Sequence, residues 1–132
     1  PSGSSASPLS PESVELERSL YLNLAQGYLK SGDAARALRA CQVVLHEYRD
    51  DAKARYRAAE ACLALGRLEE ARASLEGLMR EEQPPPEAAR LMLRVRAELK
   101  AVSKREREAA KRMLAAAEGI ADDRAPASSS RA

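Results

Sequence analysis

Residues 19–49 and 53–83 repeat one another at a fixed offset of thirty-four. At that offset Ala25 falls on Ala59, Leu29 on Leu63, Gly32 on Gly66, Ala37 on Ala71, Val44 on Leu78 and Leu45 on Met79. A period of this length is the mark of stacked units, each unable to bury its own apolar face without a neighbour. Within each copy the apolar residues recur at helical spacing, so the unit is a hairpin of two helices. The expected class is all-α: two helical-hairpin repeats followed by a long C-terminal capping helix.

Local signals divide the chain. Residues 1–10 are Ser, Gly and Pro with little to bury and read as a disordered linker. Ser10 followed by Pro11 is a helix start, a hydroxyl cap before a residue whose fixed φ suits the first turn. Leu16, Leu20, Leu24 and Tyr28 then recur at helical spacing, and Gly32 closes the helix. Asp33 opens a second helix carrying Ala37, Leu38, Cys41, Val44 and Leu45 on one face. Asp50 and Asp51 are caps for a third, with Ala52, Tyr56, Ala59 and Leu63 as its buried face and Gly66 at its end. A fourth holds Leu68, Ala71, Leu75, Leu78 and Met79, and the prolines 84–86 are expected to stop it. The matched alanines leave room for paired helices to approach closely. The repeats thus span about 11–49 and 50–83, and a terminal helix runs over 87–118, completing a repeat domain at 11–118. Its stripe of Ala88, Leu91, Met92, Val95, Leu99 and Val102 suits it to cover the last hairpin. Residues 119–132 read as a disordered tail.

Composition narrows the chemistry. With 132 residues there is room for one domain. Phe and Trp are absent and the formal charge is +2, so the chain as a whole is neither strongly basic nor acidic. Cys41 and Cys62 fall on apolar helical positions and read as buried free thiols in a reducing compartment. His46 is the only histidine. A zinc site or a histidine-based catalytic group therefore has almost no raw material, and no Gly-rich phosphate loop is present. The expectation is a non-catalytic chain with no cofactor and no metal. No apolar run approaches eighteen residues and no signal-peptide pattern occurs, which reads as cytoplasmic, with the nucleus also open. Opening on Pro1 instead of Met, the chain reads as an excised domain.

The segments Leu22-Asn23-Leu24-Ala25 with Tyr28-Leu29-Lys30, then Ala52 to Glu60, then a long helix ending Lys111-Arg112-Met113-Leu114, resemble the tetratricopeptide domain of the large immunophilins. These are the FKBP-type prolyl isomerases and their non-catalytic relatives. The likeness covers about 13–115. It implies a co-chaperone module that docks the acidic C-terminal peptide of Hsp90-type chaperones through a carboxylate clamp, and a parent with an isomerase-like domain of its own. By match to the family motif, Asn23 is the second repeat's clamp asparagine, and Lys53 and Arg57 are the third repeat's basic pair. The spacing agrees, since Lys53 and Arg57 are four apart on one helix face and Asn23 sits one repeat before Arg57. Gln26, Lys30 and Glu60 are expected on the same inner surface as supporting groove residues. The first repeat's lysine and asparagine have no counterpart, so the implied clamp is partial and its peptide binding weak.

Two other classes of function stand beside this one. A plain scaffold would hold a client segment in its groove with no carboxylate requirement. A basic terminal helix would bind calmodulin or nucleic acid: residues 87–118 carry nine basic against five acidic side chains. Interleaved glutamates and the lack of an aromatic anchor argue against a nucleic-acid role. The first helix also stands to expose Leu16, Leu20 or Leu22 where a preceding hairpin would pack, which points to self-association.

Overall fold

In the computed structural model, which describes residues 10–129 and side chains as far as Gly119, the described residues form five helices and no strand. They are α1 (Pro11–Ser31), α2 (Ala34–Glu47), α3 (Ala52–Ala64), α4 (Leu68–Met79) and α5 (Pro86–Ser129). The chain divides into two units, Pro1–Val95 and Arg96–Ala132. Within the first unit α1 packs on α2, α2 on α3 and α3 on α4, and α1 also touches α3. This is the expected stack of antiparallel hairpins. Of the expected linker only Ser10 is described, and residues 130–132 lie outside the described residues.

Capping residues set the register of the stack. The Ser10 hydroxyl accepts from the Ser13 amide at 3.2 Å, and Asp33 accepts from the Arg36 amide at 3.1 Å. At the third helix Asp51 alone is the cap. Its Oδ1 accepts from the Ala54 amide at 2.9 Å, and its Oδ2 accepts from Arg18, which ties the start of α3 to α1. Asp50, named beside it from the sequence, lies in the turn and is exposed. Gly32 and Gly66, one repeat apart, adopt φ of 85° and 79°, the left-handed region that a Cβ disfavours, and there the chain reverses into the second helix of each hairpin.

The prolines act differently from the expectation. α4 ends at Met79, where the Arg80 amide closes on the Gly77 carbonyl at 3.3 Å, so the helix has stopped before Pro84 is reached. A residue ahead of proline is driven toward extended backbone, which keeps residues 83–85 out of a helix. Pro86 is the first residue of α5, where its fixed φ fits and its missing amide hydrogen has no partner to lose. The triple proline therefore starts a helix. α5 continues through Ser129, past the Glu118 boundary at which the sequence pattern was expected to end it.

Burial extends the thirty-four-residue offset to the start of α5. Ala54, Ala58 and Ala61 on α3 are buried, and so are their counterparts Ala88, Met92 and Val95 on α5. The first part of α5 is thus a third copy of the first helix of a hairpin. The same three places on α1 are Leu20, Leu24 and Gly27, and all are exposed, Leu20 by 55% and Leu24 by 49%. These are the positions at which a helix receives the hairpin before it.

That rule corrects two burial expectations. Leu22, expected among the exposed leucines of α1, is buried and packs with Val44, Ala54, Tyr21, Leu45 and Tyr48, whereas Leu16 and Leu20 are exposed as anticipated. On α3 the buried set is Ala54, Ala58, Ala59, Ala61 and Cys62, while Ala52 is exposed and Tyr56 and Leu63 are half-buried. A helix covered on several sides has no single apolar stripe, so a search for one selects the wrong edge. Cys41 and Cys62 are buried free thiols, as the pattern implied. Burial pushes the Cys41 thiol up to about 12, with the nearby Arg57 guanidinium opposing, and Cys62 is raised by burial as well. Thiols held protonated in this way are poor nucleophiles.

In the second unit every residue from Lys104 to Gly119 is exposed except the half-buried Ala109. No helix among the described residues is long and apolar enough to cross a membrane.

Candidate functional site

A groove of ≈ 480 Å³ lies among α1, α3 and the start of α5. α3 supplies Lys53, Tyr56, Arg57 and Glu60, which share one face because their spacings are three and four. α1 adds Gln26, Leu29 and Lys30, and the entry to α5 adds Pro85 and Glu87. Leu29, Tyr56 and Pro85 are half-buried apolar parts of the lining, and Lys30, Lys53, Arg57, Glu60 and Glu87 are its charged parts. The volume is that of a pocket for a few side chains of an extended chain.

Arg57 is the most constrained of these groups. It is half-buried, donates from Nη1 to the Leu22 carbonyl at 2.8 Å and reaches Gln26 Oε1 from Nη2 at 3.4 Å. The guanidinium is thereby held across the α1–α3 junction, with donors left over for an anion. Lys30 and Lys53 have exposed side chains with no ion-pair partner within 4.0 Å among the described residues. A Lys and an Arg so placed can grip a carboxylate with charge-assisted hydrogen bonds.

Five of the six residues named from the sequence, Gln26, Lys30, Lys53, Arg57 and Glu60, line this groove. Asn23 does not. It is exposed in a separate depression formed with Leu20, Leu24, Gly27, Tyr28 and Ser31. The offset explains the difference: Asn23 occupies on α1 the place of Arg57 on α3, and Arg57 reaches back to the helix before it. Among the described residues α1 has no such preceding helix, so Asn23 faces outward and the three clamp positions do not converge in one hollow.

The sequence reading missed Tyr56, which it assigned to the core, and Glu87. Glu87 was accessible to the offset, since it is Lys53 moved by thirty-four, whereas Tyr56 is the counterpart of the buried Leu22 and the offset points it to the core. The Glu60 carboxyl is raised by burial, which Arg57 and Arg94 only partly offset. Burial and the neighbouring carboxylates of Glu60 and Glu87 raise the Tyr56 phenol. Among the described residues no cluster of three or more His, Cys, Asp or Glu is placed to hold a metal.

The sequence profile of the tetratricopeptide repeat matches residues 28–95, just over half of the chain. The match begins inside α1, takes in α2 to α4 and ends with the buried first part of α5, the same span over which the burial offset persists. No curated protein matches the chain. The tetratricopeptide fold is a non-catalytic scaffold for protein–protein contacts. With hairpins, offset, burial and profile in agreement, the chain belongs to the tetratricopeptide repeat family.

Proposed function

We propose that this chain is the peptide-docking module of an immunophilin-like co-chaperone, and that the α1–α3 groove takes the acidic C-terminal segment of an Hsp90-type chaperone. The observation that carries this reading is the grouping of Lys30, Lys53 and the pre-oriented Arg57 in one groove with Leu29, Tyr56 and Pro85. Resemblance at Leu22 to Ala25 and at Ala52 to Glu60 supports the immunophilin branch. Because Asn23 faces away and the first repeat's clamp residues have no counterpart, Lys53 and Arg57 are the two clamp positions left to hold the anion, with Lys30 beside them. Each absent charge-assisted contact costs about 1.5–3 kcal/mol.

The test is calorimetric titration with an acidic pentapeptide bearing a free C-terminus. Expected is a dissociation constant weaker than about 10 μM, loss of detectable binding on amidating the terminus, and further weakening in Lys53→Ala. If the amidated peptide binds as well as the free acid, the groove is a scaffold with no carboxylate requirement.

A second reading rests on the other face of α1. Leu16, Leu20 and Leu24 form an i, i+4, i+8 ridge exposed by 62%, 55% and 49%. In α3 and α5 the places of Leu20 and Leu24 are buried, which favours association of two copies through this ridge. Sedimentation equilibrium is expected to give concentration-dependent dimers that Leu20→Glu abolishes. A strictly monomeric wild type at millimolar concentration would refute it.

A further inference from the structure

The groove is not uniformly basic. Beside Lys30, Lys53 and Arg57 its lining includes two carboxylates, Glu60 and Glu87. They are not the outcome of a charge run, because the helices that supply them place opposite charges at equivalent positions: Lys53 on α3 is answered by Glu87 on α5, and Glu60 by Arg94. The lining therefore carries both signs of charge, with the sign alternating between equivalent positions of α3 and α5. A ligand that is acidic throughout would satisfy Lys30, Lys53 and Arg57 and meet repulsion from Glu60 and Glu87.

Glu60 gives a second, independent indication. It is half-buried and has no hydrogen bond or ion pair to another side chain among the described residues. Its carboxyl is held above the usual range, so the nearby arginines do not repay its lost hydration. A carboxylate in that condition gains from a cation that arrives with a ligand.

We infer that the groove selects a peptide carrying both charges, with a carboxylate on Lys53 and Arg57 and a lysine or arginine side chain on Glu60 and Glu87. This rests on the peptide-groove reading above and deepens it. Geometry sets the spacing. Glu60 lies seven residues beyond Lys53 on one helix, about 10 Å along the axis. Glu87, the counterpart of Lys53 thirty-four residues on, joins Glu60 in the same lining from the start of α5. An extended peptide rises about 3.3 Å per residue, so the two ligand charges stand about three residues apart.

The experiment compares two peptides, acetyl-Gly-Lys-Ala-Ala-Asp and acetyl-Gly-Glu-Ala-Ala-Asp, each with a free C-terminus, titrated into the whole chain by calorimetry. The lysine peptide is expected to bind about five-fold tighter than the glutamate peptide. Glu87→Lys, at an exposed site that leaves folding undisturbed, and Glu60→Lys are each expected to reverse the order. Lys53→Ala is expected to weaken both peptides together. Equal affinities, or an order unmoved by either reversal while both peptides still depend on Lys53, overturn the mixed-charge inference alone and leave the acidic-peptide reading standing. Failure of both peptides to bind, or binding indifferent to Lys53→Ala, overturns the groove reading and this inference with it.

Discussion

Leu78→Ala is expected to lower the unfolding free energy by about 2–5 kcal/mol, whereas Leu93→Ala changes it by less than about 0.5 kcal/mol. Both are leucines on helices of the first unit, and the contrast comes from placement. Leu78 is fully buried on α4, at the position of the buried Val44 one repeat earlier, and Leu93 on α5 is 67% exposed. Truncating Leu78 removes apolar area from the interior and leaves a void whose walls are other helices. Those walls collapse poorly because the alanines that let the helices approach have no side chain with which to fill it. A domain of this size has a total stability of only about 5–15 kcal/mol, so the loss at Leu78 is a large part of it. Urea denaturation followed by helical ellipticity reads both values. Equal losses at the two sites would mean that the inner face of the stack has been assigned wrongly.

The inner face was partly legible in the sequence, and the reason lies in the packing of each helix. On α2 and α4 periodicity selected most of the buried set, Ala37, Leu38, Cys41 and Val44 on the one and Ala71, Leu75 and Leu78 on the other, but passed over Ala34 and Ala40. α3 is covered by α1, α2 and α4 and is built of alanine, so its pattern carries little directional information. On α1 the spacing was legible in part: Leu16 and Leu20 are exposed as expected, and only Leu22 belongs to the other face. Leu16, Leu20 and Leu24 do form a regular stripe, but it is the stacking face, and no described residue covers it. What the pattern could not supply was that Leu22 turns to the other face, toward Val44 and Ala54. The site followed the same division. Lys53, Arg57 and Glu60 lie on one helix, so local spacing sufficed to group them. Asn23 required knowledge of the neighbour toward which its position points, and Glu87 required the offset to be carried across the prolines.

Arg57→Ala is expected to weaken binding of the acidic pentapeptide by roughly ten- to a hundred-fold, the equivalent of losing a charge-assisted contact worth about 1.5–3 kcal/mol. Folding should be little affected. The Leu22 carbonyl that accepts from Arg57 is also within an α-helix, where the amide four residues on satisfies it, so the substitution leaves no buried acceptor without a partner. Arg57→Lys is expected to recover only part of the affinity. An ammonium keeps the charge but cannot hold the Leu22 carbonyl, the Gln26 amide and a carboxylate in one planar fork. Asn23→Ala supplies the internal control: in its separate depression it should change peptide affinity by less than about two-fold, since exposed substitutions away from a site have small effects. Calorimetry on the three variants, with denaturation midpoints measured alongside, separates these contributions. Loss of binding in Asn23→Ala equal to that in Arg57→Ala, at unchanged stability, would show that the peptide reaches both faces of α1 and that the groove described here is only half of its site.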